Sequence, residues 1–170
     1  MLDYHLHLWP HGDHATPASL EQVAAYCERA RAVGVTEVAV TEHLFRFVQA
    51  DSILAGFWED EPDSPGVRRS MAEYWTFHAT ADLDHYVDTV LEAKRRGLPV
   101  VVGLEVDYYR GRMEKVAALL DGYPFDVLLG SVHWVGAWRF DDVDDGPSMA
   151  EWDVRTVDAA WEAYTASIEE

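Results

Sequence analysis

The chain has 170 residues and sets 13 Lys and Arg against 31 Asp and Glu, a formal charge of −18, in a length suited to one domain. With 49% hydrophobic and 12% aromatic residues there is material for a packed core, which excludes an intrinsically disordered chain. So acidic a balance, with no basic run longer than Lys94-Arg95-Arg96, repels phosphate backbones and anionic bilayers, so neither nucleic acid nor a membrane is an expected partner. One cysteine, Cys27, cannot form an internal disulfide, and the N-terminus has neither the charged nor the apolar region of a secretion signal. No apolar run approaches the ~20 residues that cross a bilayer. The expectation is a cytoplasmic globular protein.

In chain order, Leu2 to His7 alternates with period two, placing Leu2, Tyr4 and Leu6 on one face of a strand and Asp3, His5 and His7 on the other. The apolar face is expected to lie under helices. Ser19, three residues before Gln22, opens a helix whose stripe is Leu20, Val23, Ala24, Cys27 and Ala30, and Gly34 closes it. Cys27 lies on that stripe and reads as a core residue. Glu37 to Thr41 reads as a second strand ending at Glu42-His43. Residues 45–80, with Asp60, Pro62, Asp63, Pro65 and Gly66 among scattered aromatics, read as a long functional loop or lid with room for short helices. His78 falls in that loop and His85 on a charged helix, so neither is assigned to a site.

Leu83, Tyr86, Val87, Val90 and Leu91 predict a further helix, followed by the apolar strand Pro99 to Leu104 ending at Glu105. Met113, Val116, Ala117, Leu119 and Leu120 form another stripe, and Phe125 to Val132 a fourth strand leading to His133. A last helix carries Val154, Val157, Trp161, Tyr164 and Ile168. Alternating strands and helices make right-handed parallel units, in an open sheet or a barrel. Strand-end histidines and a carboxylate favour a barrel, whose strand C-termini share one mouth.

Paired histidines two residues apart on a strand point the same way, and imidazole is a common ligand for divalent metals. Glu105 follows six uncharged residues, where an unpaired carboxylate would face a large desolvation cost, so a cation partner or a structural salt bridge is needed. With His43 and His133 at neighbouring strand ends, the coincidence argues for a metal site, to which His11 or His14 of the loop after the first strand adds one ligand. The run Asp141 to Gly146 lacks the spacing of a calcium loop and reads as a solvated acidic segment. There is no phosphate-binding glycine loop and no nucleophilic serine elbow.

His5-Leu6-His7, Thr41-Glu42-His43, Gly103-Leu104-Glu105-Val106-Asp107-Tyr108 and Gly130-Ser131-Val132-His133-Trp134 resemble the successive motifs of the polymerase and histidinol phosphatase (PHP) superfamily, most closely its histidinol-phosphate phosphatase branch. The resemblance implies an α/β fold, a distorted seven-stranded β/α barrel of the TIM-like type, of which residues 1–170 would supply about the first four units. It implies up to three divalent transition metals (Zn, Mn or Fe). His5, His7 and Glu105 would hold one, Glu105 and His133 a second, and His43 with a loop histidine a third, His14 being preferred because Gly12-Asp13-His14-Ala15 is similar to the family's Gly-His-Ala. The catalytic set implied is His5, His7, His43, Glu105 and His133. Asp107 would orient a ligand or contact substrate, Arg139 would join it in substrate binding, and Arg46, Arg68, Arg69, Arg110 and Arg139 are candidates for a phosphate clamp that the sequence does not rank.

The activity implied is hydrolysis of a small phosphate monoester, L-histidinol phosphate to L-histidinol in histidine biosynthesis. Other phosphoesterases and nuclease-like domains share the motifs. The family's later Gly-His-x-Asp and Gly-Ser-Asp-x-His motifs do not occur before residue 170, so the domain is expected to be incomplete at its C-terminus. That leaves room for a non-catalytic metal-binding half-barrel which self-associates through open sheet edges. An amidohydrolase-type barrel also begins with His-x-His, but no lysine ends the third or fourth strand here.

Overall fold

A computed structural model describes all residues, 1–170. Four parallel strands, β1 (Leu2–Leu6), β2 (Glu37–Val40), β3 (Val100–Asp107) and β4 (Val127–Ser131), join in chain order into a curled half-barrel. Val38 to Val40 face Val100 to Val102, whereas Val127 to Ser131 face Gly103 to Asp107. The pairing thus climbs along β3 as the sheet advances, the stagger that barrel curvature requires. Seven helices accompany the strands: α1 (Leu20–Ala32), α2 (Val48–Leu54), α3 (Pro65–His78), α4 (Leu83–Arg95), α5 (Met113–Leu120), α6 (Gly146–Glu151) and α7 (Val157–Glu169).

The crossovers form where the pattern predicts them. Ser19 accepts a hydrogen bond from the Gln22 backbone at 3.2 Å and opens α1, whose stripe buries Val23 and Cys27. Asp82 caps α4, which buries Leu83, Tyr86, Val87, Val90 and Ala93. The Tyr86 hydroxyl lies 2.8 Å from the carbonyl oxygens of both Val40 and Gly103, pinning α4 across β2 and β3. Gly103 is needed there, since a Cβ would come within 2.6 Å of Thr41 Cγ2 and 2.8 Å of the Val40 carbonyl oxygen.

Three expectations are corrected. The apolar face of β1 is only partly buried: Tyr4 and Leu6 are half-buried but Leu2 is 59% exposed, and the register with β2 slips between Asp3 and Leu6. Burial still alternates from Asp3 to Leu6, and Leu2 is exposed at the start of an edge strand. Residues 45–80 are not mainly loop. They contain α2, α3 and 3-10 turns at Leu44–Arg46 and Phe57–Asp60. Ser64 caps α3 with Pro65 at its first position, and Val67, Met71, Trp75 and His78 are buried at steps of three and four. Their spacing was obscured by the intervening polar residues and by the Pro and Gly that precede it.

The third correction concerns the last helix. The helix forms but begins at Val157 with Thr156 as its cap, so Val154 lies outside it, in the turn after α6. Val157, Trp161 and Ile168 face outward, about 60% exposed, while Ala160 and Ser167 face the protein. No helix is long and apolar enough to cross a membrane.

The inserted helices dock on the segment after β4. Asp63 accepts the Ala137 backbone N–H at 2.6 Å and pairs with Arg155, whose guanidinium stacks 4.5 Å from the Trp138 ring. Phe45, Phe57, Trp58, Trp75, Tyr109 and Trp134 form an aromatic cluster beneath the barrel mouth.

Candidate metal centre

Each strand ends at a group aimed into the mouth. Glu105, 2% exposed, lies on β3 opposite His43. Around its carboxylate converge His5 Nε2 at 3.0 Å, His7 Nε2 at 3.3 Å, His43 Nδ1 at 3.2 Å and His133 Nε2 at 3.5 Å. Two overlapping donor sets result, His5, His7 and Glu105, and His43, Glu105 and His133, the donor atoms of each lying within 4.8 Å of one another. The rings pack closely: His7 stacks on His43 with centroids 4.4 Å apart, and His133 meets His43 edge-on at 5.1 Å.

Four imidazoles around one buried carboxylate fit a divalent cation by donor chemistry. His7 Nδ1, His43 Nδ1 and Glu42 Oε2 are buried without hydrogen-bond partners, an arrangement that costs stability unless a ligand completes it. Burial first, then the charges of His7, His133, Arg46 and His11, hold His43 far below the ordinary histidine range, so its ring stays neutral, with one nitrogen free as a lone-pair donor. His133 behaves oppositely. Burial disfavours its charge, but its 2.7 Å hydrogen bond to Asp107 and the charges of Asp107, Glu105 and Asp141 raise it to about 9.

Asp107 is fully buried and also accepts from Ser131 Oγ and the His133 backbone N–H. It orients His133, the role that carboxylates commonly play behind metal-bound histidines. Glu42, passed over as a site residue, is equally buried. Its Oε1 accepts the Leu8 and Trp9 backbone N–H groups, and its Oε2 lies 3.6 Å from His7 Nδ1. Its position directly after an apolar strand, beside His43, is the signal that marks it.

The loop histidine brought to the mouth is His11, whose ring centroid lies 5.8 Å from that of His43. His14 is turned away, stacked on Phe77 with Nδ1 2.9 Å from the Phe77 carbonyl oxygen. Arg46, 1% exposed, donates to the Pro10 and Asp13 carbonyls and so holds this loop. Arg139 is also committed, pairing with Asp142 and Asp145, donating to the Ser70 carbonyl and lying 4.3 Å over the Tyr74 ring. The acidic run after it is therefore partly structural: Asp145 caps α6 and receives the Ser70 hydroxyl.

A cavity of about 610 Å³ opens beside His43 and His133, walled by Phe45, Tyr74, Phe77 and Trp134 on one side and by Asp141 to Asp145 on another. His78 lines it from α3, 2% exposed. Burial, then the charges of Arg46, His11, Arg139 and His14, lower it to about 4. An unfolded histidine titrates near 6.5, so between about pH 6.5 and 4 the unfolded chain binds the extra proton and stability falls as pH falls. Urea unfolding at pH 7 and pH 4.5 is expected to show His78→Gln losing roughly 2–3 kcal/mol less than the parent protein over that interval. Equal losses would place His78 in a solvated setting.

A sequence profile described as the PHP domain matches residues 3–169. A protein named probable histidinol-phosphatase, from Deinococcus radiodurans, is 35% identical over 72 residues, 42% of this chain and 26% of that protein. The aligned segment thus spans about a quarter of the relative's length. The matched span includes every strand end that contributes to the cluster on Glu105, and the chain belongs to the PHP domain family.

Proposed function

We propose that this domain hydrolyses a small phosphate monoester, and that L-histidinol phosphate is its substrate. The observation that carries the reading is the convergence of His5, His7, His43 and His133 on the one buried carboxylate of Glu105, beside an open cavity. The relative's name supports the choice of substrate.

His5, His7, Glu105, His43 and His133 would hold divalent cations, with His11 adding a donor next to His43. When bound, such ions supply an activated water and neutralise phosphoryl charge. The protein's part is positional. Asp107 accepts a hydrogen bond from the Nδ1–H of His133, which leaves Nε2 directed at the Glu105 side of the mouth. Glu42 anchors the Leu8-Trp9 turn and with it the position of His7. The buried guanidinium of Arg139 keeps the Asp142 and Asp145 side of the cavity in place. The remaining acidic groups, Glu73, Asp141 and Asp144, give the cavity a negative wall that attracts an amine-bearing alcohol and disfavours polyanions.

The test is release of inorganic phosphate from L-histidinol phosphate by protein supplied with Mn²⁺ or Zn²⁺, against glycerol phosphate and single-stranded DNA. Saturable hydrolysis of the first substrate, well above the other two, is expected. Hydrolysis of DNA without action on histidinol phosphate would move the protein to a nuclease-like role. The exposed edges of β1 and β4, with Leu2 and Leu128 at the surface, favour a second reading, a metal-holding half-barrel that pairs with another copy. Metal uptake and dimerisation with no phosphate release would select it.

A further inference from the structure

The cavity beside the metal centre contains a polar group that the hydrolytic reading leaves unused. His78 is 2% exposed, its Nδ1 is sealed with no hydrogen-bond partner, and its ring sits among Phe45, Tyr74 and Phe77 with centroids 5.8, 4.3 and 4.9 Å away. Sealing Nδ1 leaves Nε2 as the nitrogen that a molecule in the cavity can reach. A bare lone pair is more readily tolerated in the sealed position than an unpaired N–H, so the proton belongs on Nε2 as a donor. The indole Nε1 of Trp134, in the same wall, is likewise buried without a partner. Five carboxylates, Glu73, Asp141, Asp142, Asp144 and Asp145, line the cavity against the single guanidinium of Arg139, which two of them already engage.

We propose that this cavity is the recognition pocket for the leaving group, and that His78 is the specificity-determining residue within it. The ligand class is an amine-bearing alcohol with a heteroaromatic ring. Its ammonium group meets the carboxylate wall, its ring lies against Tyr74, Phe77 and Trp134, and a ring nitrogen accepts the His78 Nε2–H. The inference rests on the phosphate-monoester reading for the identity of the alcohol as leaving group. A site built to hydrogen-bond a ligand discriminates strongly against an analogue that lacks the matching atom, because its own buried polar group is then left unpaired.

The experiment is calorimetric titration of the protein with two dephosphorylated alcohols, L-histidinol and L-phenylalaninol, which share the amine and differ in the ring nitrogens. The parent protein is expected to bind L-histidinol about 10-fold tighter or more, the discrimination of one well-formed hydrogen bond. His78→Phe is expected to erase that preference, and His78→Gln, which restores a donor in the same wall, to recover part of it. Circular dichroism melts would confirm that the variants fold, and the His78→Gln result decides the matter if His78→Phe does not.

Absence of preference in the parent protein, absence of binding to either alcohol, or a preference unchanged in the variants would overturn the assignment. Neither ligand carries phosphate. Phosphate release without ring preference would therefore refute the pocket alone, and ring preference without phosphate release would refute the hydrolase reading alone.

Discussion

Glu105→Gln is expected to reduce divalent-metal affinity by about 100-fold or more, the upper end of what losing even a supporting ligand costs, and to lower phosphate release by orders of magnitude. The side chain keeps its shape and loses its charge. Four imidazole nitrogens lie within 3.0 to 3.5 Å of the native carboxylate, so this one group neutralises cation charge in both donor sets. Without metal, the substitution removes a buried anion that burial disfavours, and the melting temperature of the metal-free protein should be unchanged or higher. Elemental analysis and metal titration check the first part, thermal denaturation the second. His14→Gln is the matched control, since His14 lies on Phe77 away from the cluster, whereas His11→Gln is expected to weaken metal binding. Equal metal content in Glu105→Gln and the parent protein would remove Glu105 from the centre.

Trp75→Ala is expected to destabilise the fold by about 3–5 kcal/mol, as large aromatic truncations in sealed cores do, and to lower the melting temperature on the order of 10 °C. Trp75 is 2% exposed, contacts Phe57, Trp58 and Tyr109, and donates its indole N–H to Asp51 at 2.7 Å. Its loss leaves a cavity where α3 meets the layer under the mouth, and an acceptor without its donor. Urea denaturation measures the change. A loss below about 1 kcal/mol, the level of a surface substitution, would mean that the inserted helices pack loosely and do not shape the pocket.

The parts of the site that were legible in the sequence share one property: each lies on or directly beyond a strand whose apolar pattern is unambiguous. The run Val100 to Leu104 places Glu105 at a buried strand end, and Phe125 to Val132 leads to His133 just beyond the end of a half-exposed strand. His43 follows the short run Val38 to Val40. These elements are local, so pattern suffices. His78 and His11 were harder because nothing local distinguishes them. His78 gains its meaning from Phe45 and Arg139, which come from two other parts of the chain, and His11 from the way Arg46 and Glu42 fold the loop after β1 back over the mouth. For Arg139, the geometry of a phosphate clamp and that of a structural anchor look alike in sequence. Only its contacts with Asp142, Asp145 and Ser70 separate them.

By itself the sequence determined that this is a parallel α/β domain with imidazoles and a carboxylate at its strand ends, because hydrophobic period and residue chemistry are properties of short segments. The tertiary structure alone decided which of those groups share a point in space, that Asp107 serves His133, and that residues 45–80 form a helical wall with His78 at its inner face. Those are long-range facts. They depend on the sheet stagger that brings β1 to β4 into one mouth and on packing between segments as far apart as Asp63 and Arg155, and no window along the chain contains both partners of such a contact.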